Sequence, residues 1–346
     1  MKKVKIAIVG ASGYTGQELI RILLRHPGVE LVCATSRQYA GQKLSDVFPR
    51  FRNVPGSELL FTDSDVAAIA ATGAEAAFLA LPHGVASAYG RGLVEAGLRV
   101  IDLSADFRLN DPAVYEEFYK KPHPDVELMK EATYGMPEWH REEIKKARIV
   151  GSPGCFPTSI LLPLIPLLRA GLVQPQDIVV NSGSGVSGAG RRAEVKFNFC
   201  ECNENMHAYS VPRHRHLSEI EQELSLAAGT KVVITFTPHL IPVNTGILTT
   251  TVAKLAPGVT QEMLTECLEK AYAGSAFVRL QGAEPVETKN VTRTNFVDIG
   301  CAVDDRTGRA VLMSAEDNII KGAGGQAVHA FNVMFGFDDA EGLILI

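Results

Sequence analysis

The sequence predicts an α/β protein with two domains, the first built on a parallel sheet and the second an α+β domain with a mixed or antiparallel sheet. Its 346 residues exceed the roughly 150 expected of one domain. Fully apolar runs alternate with helical patterns in the first part, which favours a parallel sheet covered on both faces. Longer β-branched runs follow in the second part. The chain is 46% hydrophobic and 21% charged, which excludes a disordered or collagen-like protein.

In the first domain, Lys5–Gly10 is an apolar run that ends in glycine, and residues at helical spacing separate it from a second apolar run at 31–34. This pattern is a βαβ unit. Further strands are predicted at 76–81 and 99–104, on either side of a helix at 85–96.

The second domain begins near Gly151, and a helix is predicted just after Cys155, because Pro157 suits a first helical turn. The other predicted elements are strands over 231–240, 246–255, 297–303 and 310–313 and helices over 217–226, 261–272 and 318–333.

Charge and hydropathy exclude several kinds of partner. The formal net charge is -5, so no basic excess points to nucleic acid or to an anionic membrane. The apolar run Ile160–Leu168 is interrupted by prolines and is shorter than the roughly 20 residues of a membrane span. The first ten residues pass directly into a glycine loop instead of a signal-peptide apolar region. We expect a cytoplasmic protein that binds neither nucleic acid nor membrane.

The six cysteines are too sparse for a disulfide framework. Cys200 and Cys202 are close in sequence, and His214 and His216 follow further along the chain. The single residue between the two cysteines does not match the spacing of ligands in common zinc sites. We therefore expect no metal.

A glycine-rich loop joins the first strand to the first helix. Glycine at positions 10, 13 and 16 gives the backbone access to a pyrophosphate at the helix N-terminus, whereas a glycine triplet elsewhere is more often a structural turn. The sequence therefore predicts a Rossmann-like dinucleotide-binding domain. The candidate cofactor-binding residues are Gly10, Ser12, Gly13, Tyr14, Thr15 and Gly16 in this loop, Ser36 and Arg37 after the second strand, and Leu81 and Pro82 after the third.

The residues after the second strand favour NADP(H) over NAD(H). Glu30 has the spacing of an acid that binds a ribose 2′-hydroxyl, but it opens the strand, and ligands lie at carboxyl ends. Ser36 and Arg37 stand at that end, where an arginine would bind a 2′-phosphate. The alternative is a solvated surface arginine.

Cys155 is the candidate nucleophile, because a helix N-terminus stabilises a thiolate. A small packed cysteine is the alternative.

His216 is the candidate acid and base, and Glu219, three residues on, shares its helix face and would orient the imidazole. A solvated, charge-rich helix start would show the same pattern. His83 is a weaker candidate.

Two segments rich in hydrogen-bond donors, 181–192 and 102–108, are predicted to bind an anionic group, although either is compatible with a flexible turn. The candidate substrate-binding residues are Arg108, Ser187, Gly188, Arg191 and His214. A nicotinamide cofactor, an activated cysteine and a histidine together indicate reduction of an acyl phosphate through a cysteine thioester, with loss of phosphate and release of an aldehyde.

These motifs, taken in order, resemble the N-acetyl-γ-glutamyl-phosphate reductase family of arginine biosynthesis over nearly the whole chain. The resemblance rests on GASGYTG at 10–16, DLSADFR at 102–108, GSPGCFPTS at 151–159, HRHLSEIEQEL at 214–224 and DNIIKGAGGQAVHAFN at 317–332. Ser152 and Phe156 replace the asparagine and tyrosine of many relatives, and neither change removes a catalytic group.

The resemblance implies a fold shared with aspartate-semialdehyde and glyceraldehyde-3-phosphate dehydrogenases, in which the last helix returns to the cofactor domain. The domains are then 1–154 with 317–346, and 155–316. It also implies Cys155 as nucleophile, His216 as acid/base with Glu219 orienting it, Asn318 near the nicotinamide, and a homodimer or homotetramer. The same chemistry on aspartyl phosphate or on a carrier-bound α-aminoadipyl phosphate remains open, as does an NADP-sensing regulator without catalysis.

Overall fold

Each of two units of the chain contains a seven-stranded sheet within the described residues, 3–191 and 193–344 of this computed structural model. The first unit comprises Met1–Pro153 and Ala323–Ile346, and the second comprises Gly154–Gly322. The chain therefore enters the second unit one residue before Cys155. Residues 317–322, which the sequence analysis grouped with the first domain, cluster with the second unit.

The first unit is a doubly wound parallel sheet. Its strands are β1 (Val4–Val9), β2 (Val29–Thr35), β3 (Phe61–Thr62), β4 (Ala76–Leu79), β5 (Arg99–Asp102), β6 (Thr133–Tyr134) and β7 (Ile149–Gly151). Its helices up to this point are α1 (Tyr14–Leu23), α2 (Leu44–Val47), α3 (Val66–Ala71), α4 (Ala86–Glu95), α5 (Pro112–Tyr119), α6 (Val126–Glu131) and α7 (Pro137–Lys146).

The strand order is β3-β2-β1-β4-β5-β7-β6, and every pair is parallel. All four residues of β4 and the last four of β1 are buried, because helices cover both faces of the sheet. The order reverses between β1 and β4, so their carboxyl ends open a crevice at the topological switch point. The two-residue strands β3 and β6 escaped the sequence analysis because they are too short to show a periodic pattern.

The second unit is built on a mixed sheet. Its strands are β8 (Val179–Gly185), β9 (His207–Ala208), β10 (Thr235–Ile241), β11 (Ile247–Lys254), β12 (Val278–Leu280), β13 (Val297–Asp304) and β14 (Arg309–Glu316), and its helices are α8 (Cys155–Arg169), α9 (Phe199–Cys202), α10 (Leu217–Ala228) and α11 (Gln261–Tyr272). The order is β12-β13-β14-β11-β8-β10-β9. Helix α8 packs against β11 and β14, which makes this the inner face of the sheet. The predicted fold class is confirmed in both units.

Helix α8 continues through Pro163 and Pro166, which the helix interior normally disfavours because each removes an amide donor. Side chains replace both donors. Ser314 Oγ donates to the Ser159 carbonyl oxygen over 2.6 Å, and Tyr272 donates its hydroxyl to the Leu162 carbonyl oxygen. These are the carbonyls that lie four residues before each proline. Tertiary hydrogen bonds therefore keep the helix continuous.

The last helix, α12 (Gly325–Phe335), belongs to the first unit and packs against α7. The predicted start of this helix at Asn318 is wrong, because α12 begins at Gly325. The Asp317 carboxylate accepts the backbone N–H groups of Ile319 and Ile320, and a wide π-helical turn at Ile320–Gly324 precedes the helix. In the part of the chain that the structure describes, no helix is both long enough and apolar enough to cross a membrane.

A fully buried carboxyl group, that of Asp102, lies at the carboxyl end of β5. Its oxygens accept hydrogen bonds from the Ser104 backbone N–H over 3.0 Å and from the Ser104 hydroxyl over 2.7 Å. Burial, helped by the negative charge of Asp106, raises the pKa of Asp102 to about 7. The hydrogen bonds from Ser104 and the charge of Arg108 oppose this shift without cancelling it.

We expect the stability of the protein to fall, relative to an Asp102→Asn variant, as the pH rises from about 4 to about 7. The folded state keeps the Asp102 proton in this window, whereas the unfolded chain has already released it. The free energy of unfolding falls by about 4 kcal/mol across this window. The Asp102→Asn variant lacks this pH dependence, because an amide does not titrate. Urea unfolding midpoints at several pH values test this. The exposed Asp63→Asn variant is the control and follows the wild type, and an identical pH profile for Asp102→Asn contradicts the assignment.

Candidate active site

Three glycines of the first unit form a cradle at the N-terminus of α1. A Cβ at Gly10, where φ is +83°, would lie 2.6 Å from the Ala80 carbonyl oxygen, so β1 and the residue after β4 meet there. A Cβ at Gly16 would lie 2.6 Å from the Ala11 backbone, which brings α1 close to β1. Gly13, the N-cap, has no atom within 4 Å of its Cβ position and no side-chain cap. The first N–H groups of α1 can therefore receive an anion.

The other predicted cofactor residues of this unit lie along the same carboxyl edge of the sheet. Ser36 follows β2 and donates its hydroxyl to Ser12 Oγ over 3.1 Å. Arg37 is exposed beside it, whereas Glu30 is the second residue of β2, at the opposite end of that strand. Leu81 follows β4, and its Cδ2 would lie 2.9 Å from a Cβ on Gly10. Pro82 comes next, and Tyr14 and Thr15 form the first turn of α1.

Asp106 joins the segment after β4 to the loop that carries Arg108. Its buried carboxylate accepts the N–H groups of Gly84 and Ser87 over 2.7 and 3.0 Å and the Tyr115 hydroxyl over 3.0 Å. This carboxylate occupies the N-terminus of α4, so α1 offers the open N-terminus at the switch point. His83 accepts the Ala105 N–H over 2.9 Å at Nδ1, which places it among the groups that hold this loop.

Arg108 is buried and holds the backbone around it. Its Nε donates to the Ser152 carbonyl oxygen over 2.7 Å, and its Nη2 donates to the Leu103 carbonyl oxygen over 2.8 Å. These bonds fix the plane of the guanidinium group in the first unit.

Cys155 is the first residue of α8 in the second unit and is half-buried. Gly154 is the N-cap and provides no side-chain cap, and the first turn of the helix contains no acid. The positive end of a fifteen-residue helix therefore acts on the sulfur, which stabilises the thiolate.

The structure brings His216 and Glu219 to the same helix end. A Cβ at Gly154 would lie 2.6 Å from His216 Nε2 and 2.9 Å from Glu219 Oε1, so glycine alone leaves room for both groups beside Cys155. Glu219, which is 1% exposed, accepts the Gly154 backbone N–H over 3.1 Å at Oε2. The predicted grouping of cysteine, histidine and glutamate is thus present within one unit.

His214 supports His216 from the preceding loop. Its Nδ1 accepts the His216 backbone N–H over 3.1 Å. Burial, with a smaller contribution from the charge of Arg215, lowers the pKa of His214 to about 4, so its imidazole is neutral at pH 7. Tyr209 packs edge-on against His214, with ring centroids 5.6 Å apart. Burial and then the charge of the Cys155 thiolate raise the pKa of Tyr209, which keeps its hydroxyl protonated.

The predicted anion-binding segment of the second unit follows β8. Ser187 and Gly188 lie in the short helical turn Val186–Ala189, where the Ser187 N–H donates to the Asn244 carbonyl oxygen over 3.0 Å. Asn318 donates from Nδ2 to Ser187 Oγ over 3.0 Å and accepts the Gly246 N–H at Oδ1 over 2.7 Å. Asn318 is therefore part of the second unit and holds this turn. Arg191 is exposed beyond it, and residue 192 lies outside the described residues.

Comparison with known proteins assigns the family. Two family models match the chain: "Semialdehyde dehydrogenase, NAD binding domain" over residues 5–147 and "Semialdehyde dehydrogenase, dimerisation domain" over residues 155–318. A curated N-acetyl-gamma-glutamyl-phosphate reductase from Akkermansia muciniphila is 71% identical over 344 residues, which cover 99% of both chains. Another, from Syntrophobacter fumaroxidans, is 49% identical and covers 98% of this chain and 97% of the relative. The chain belongs to the N-acetyl-gamma-glutamyl-phosphate reductase family.

Solved structures agree with this family in fold. Aspartate semialdehyde dehydrogenase II from Vibrio cholerae superposes with a TM-score of 0.73 at 18% identity, covering 97% of this chain and 99% of that one. Aspartate semialdehyde dehydrogenase with NADP from Candida albicans has the same TM-score at 17% identity and covers 96% and 99%. The predicted resemblance, the oxidoreductase class and the nicotinamide-dinucleotide domain are confirmed.

Two groups beside the cysteine of this reductase-family chain are absent from the predicted site residues. Tyr209 lies outside every helical or strand pattern that the analysis used. Glu316 is fully buried at the end of β14, and a Cβ at Gly322 would lie 2.9 Å from its Oε1 and 2.8 Å from Cys155 Cβ. A carboxylate at the end of a mostly apolar strand is the one local signal that would have marked Glu316.

Proposed function

We propose that the chain catalyses the NADPH-dependent reductive dephosphorylation of N-acetyl-L-glutamyl 5-phosphate to N-acetyl-L-glutamate 5-semialdehyde, a step of arginine biosynthesis. The observation that carries this proposal is the thiol of Cys155 at an uncapped helix N-terminus, with His216 Nε2 against Gly154. The 71% identical relative bears the name of this reductase. None of the six cysteines, all of which lie among the described residues, forms a disulfide, which is compatible with a thiol nucleophile.

Cys155 forms the covalent intermediate. Its thiolate attacks the acyl carbon, the C–O bond to phosphate breaks, and inorganic phosphate leaves behind a thioester. His216 then donates a proton to the oxygen of the thiohemiacetal that reduction of the thioester produces. Cleavage of the C–S bond, with return of that proton to His216, releases the aldehyde and restores the Cys155 thiolate. Glu219 orients the site through its bond to the Gly154 N–H. NADPH, when bound, supplies the reducing equivalent that converts the thioester to the thiohemiacetal.

The glycine cradle fits a dinucleotide, since Gly13 leaves the α1 N-terminus open and Gly10 and Gly16 permit close backbone approach. The residues that would hold NADP(H) are Gly10, Ser12, Gly13, Tyr14, Thr15, Gly16, Ser36, Arg37, Leu81, Pro82 and Asn318. Arg37 would bind the 2′-phosphate, because its exposed guanidinium provides charge-assisted donors, and Ser36 lies beside it at the same strand end.

The acyl phosphate would be bound by Arg108, Ser187, Gly188, Arg191 and His214. The Ser187 hydroxyl, which accepts a hydrogen bond from Asn318, would donate its proton to a phosphoryl oxygen. His214 suits a neutral polar group of the substrate, since burial lowers its pKa to about 4 and keeps it uncharged.

The outer face of the second sheet supports a homodimer or a homotetramer. Leu248, Val252 and Val311 alternate with the buried residues of their strands and are partly exposed, and Val252 pairs with Val311. An apolar stripe on an open sheet face is typical of a subunit contact. The dimerisation-domain model spans these strands.

The reaction is tested by phosphate- and arsenate-dependent reduction of NADP with N-acetylglutamate semialdehyde, in parallel with aspartate semialdehyde and the aminoadipate analogue. We expect the wild type to prefer N-acetylglutamate semialdehyde. Cys155→Ser should lower kcat by about 10³-fold or more, because a serine hydroxyl is a far weaker nucleophile. Turnover of none of the three, or a Cys155→Ser variant as active as the wild type, contradicts the proposal.

The cofactor assignment is tested by Arg37→Ala. Loss of a charge-assisted contact to the 2′-phosphate should lower the preference for NADP over NAD by roughly 10- to 100-fold. Steady-state kcat/KM for the two cofactors measures this preference. Arg25→Ala, at an exposed arginine beyond the other end of α1, is the matched control and should leave the ratio unchanged. An unchanged ratio for Arg37→Ala disproves its role.

The subunit contact is tested by sedimentation of a Leu248→Arg, Val252→Arg double variant. Two charges in the apolar stripe should release monomers from an oligomeric wild type, because the buried charges have no partner. Leu226→Arg, at a 60% exposed position of α10, is the control and should keep the wild-type mass. A monomeric wild type, or an oligomeric double variant, refutes this contact.

A further inference from the structure

Three buried hydroxyl groups connect α8 to the inner face of the second sheet. They belong to Ser159 on α8, Ser182 on β8 and Thr249 on β11, and together they are called the hydroxyl chain below. Thr249 Oγ1 lies 2.7 Å from Ser159 Oγ and 2.6 Å from Ser182 Oγ. All three side chains are buried. Thr249 is therefore the central member of a continuous hydrogen-bonded chain.

The direction of the hydrogen bonds within the hydroxyl chain follows from its member on α8, Ser159. Ser159 Oγ donates to the Phe156 carbonyl oxygen over 3.0 Å. A hydroxyl has one proton to donate, so Thr249 must donate to Ser159, and Ser182 to Thr249. Every donor then points toward the first turn of α8, and each bond polarises the next. The chain ends on the carbonyl of the residue that follows Cys155.

The other end of the hydroxyl chain, Ser182, lies on β8. Ser182 is within β8, and the Val186–Ala189 turn with Ser187 follows that strand directly. A second route leaves β11, where the Gly246 N–H donates to Asn318, and Asn318 donates to Ser187. The hydroxyl chain thus links the helix of the proposed nucleophile to the turn proposed to bind the phosphoryl group.

Burial alone does not require these bonds. Thr251 occupies the next inner-face position of β11 and is 0% exposed, and its hydroxyl has no hydrogen-bond partner among residues 3–191 and 193–344. The same strand therefore buries one threonine hydroxyl without a partner and another with two. The difference is that Thr249 faces Ser159, one helical turn beyond Cys155.

We propose that Thr249 is a positioning residue for the reaction, whose hydroxyl sets the distance between Cys155 and the turn that contains Ser187. This inference rests on the proposed reductase function. Without the Thr249 hydroxyl, Ser159 and Ser182 lose their shared partner, and the first turn of α8 is no longer held in register with β8. A displacement of a fraction of an ångström between nucleophile and substrate slows the chemical step without weakening cofactor binding.

The test compares Thr249→Val, Thr249→Ser and Thr251→Val. Valine keeps the volume of threonine and removes the hydroxyl, whereas serine keeps the hydroxyl. We expect Thr249→Val to lower kcat roughly tenfold with an unchanged KM for NADP. Thr249→Ser should recover most of the wild-type kcat, and Thr251→Val should match the wild type. Ser182→Ala, which removes the donor to Thr249, should lower kcat in the same direction and decides the question if Thr249→Val does not fold.

A second measurement separates this inference from the reductase function. The rate of Cys155 alkylation by iodoacetamide, without substrate or cofactor and at one pH, should change by about threefold or more in Thr249→Val and not in Thr251→Val. A wild type that reduces no acyl phosphate refutes the function, and the alkylation rates still decide the positioning role. Equal kcat and alkylation rates in Thr249→Val and Thr251→Val, or a Thr249→Ser variant as slow as Thr249→Val, overturn the proposal.

Discussion

The chemistry of the second unit depends on one close approach, that of α10 to the N-terminus of α8 at Gly154. Because residue 154 has no Cβ, His216 and Glu219 can both lie against the backbone that carries Cys155. The bond from the Gly154 N–H to Glu219 adds a fixed partner to this contact. The absence of a side chain at Gly154 therefore lets the proposed nucleophile, the proposed proton donor and the Glu219 carboxylate lie side by side.

In the same unit, α8 begins with Cys155, the proposed nucleophile, and contains two internal prolines. Ser314 and Tyr272 donate to the carbonyls that Pro163 and Pro166 leave without amide partners. The donors come from β14 and α11, so the sheet and a neighbouring helix both hold α8. These two buried hydrogen bonds hold the middle of α8 in place, because each is costly to lose.

In the first unit, the N-terminus of α1 is open, whereas the N-terminus of α4 is closed. The Asp106 carboxylate fills the N-terminus of α4, whereas Gly13 leaves that of α1 uncapped. An anion entering the crevice at the switch point therefore meets the positive end of α1. The fixed carboxylates of this unit, Asp102 among them, are buried at the carboxyl edge of the sheet and order the loop that contains Arg108.

The sequence by itself determined the α/β class and the glycine loop, and it marked Cys155, His216 and Glu219 as candidates, because strand–turn–helix order and i,i+3 spacing are local properties of the chain. Only the tertiary structure decided what depends on distant residues. The partner of Glu219 is sixty-five positions away in the chain, Thr249 meets Ser182 through the register of β11 and β8, and Glu316 meets Cys155 across Gly322. The start of the last helix was likewise decided by the Asp317 carboxylate, which caps the backbone ahead of it. Local patterns report periodicity and propensity, whereas such long-range contacts exist only once the chain has packed.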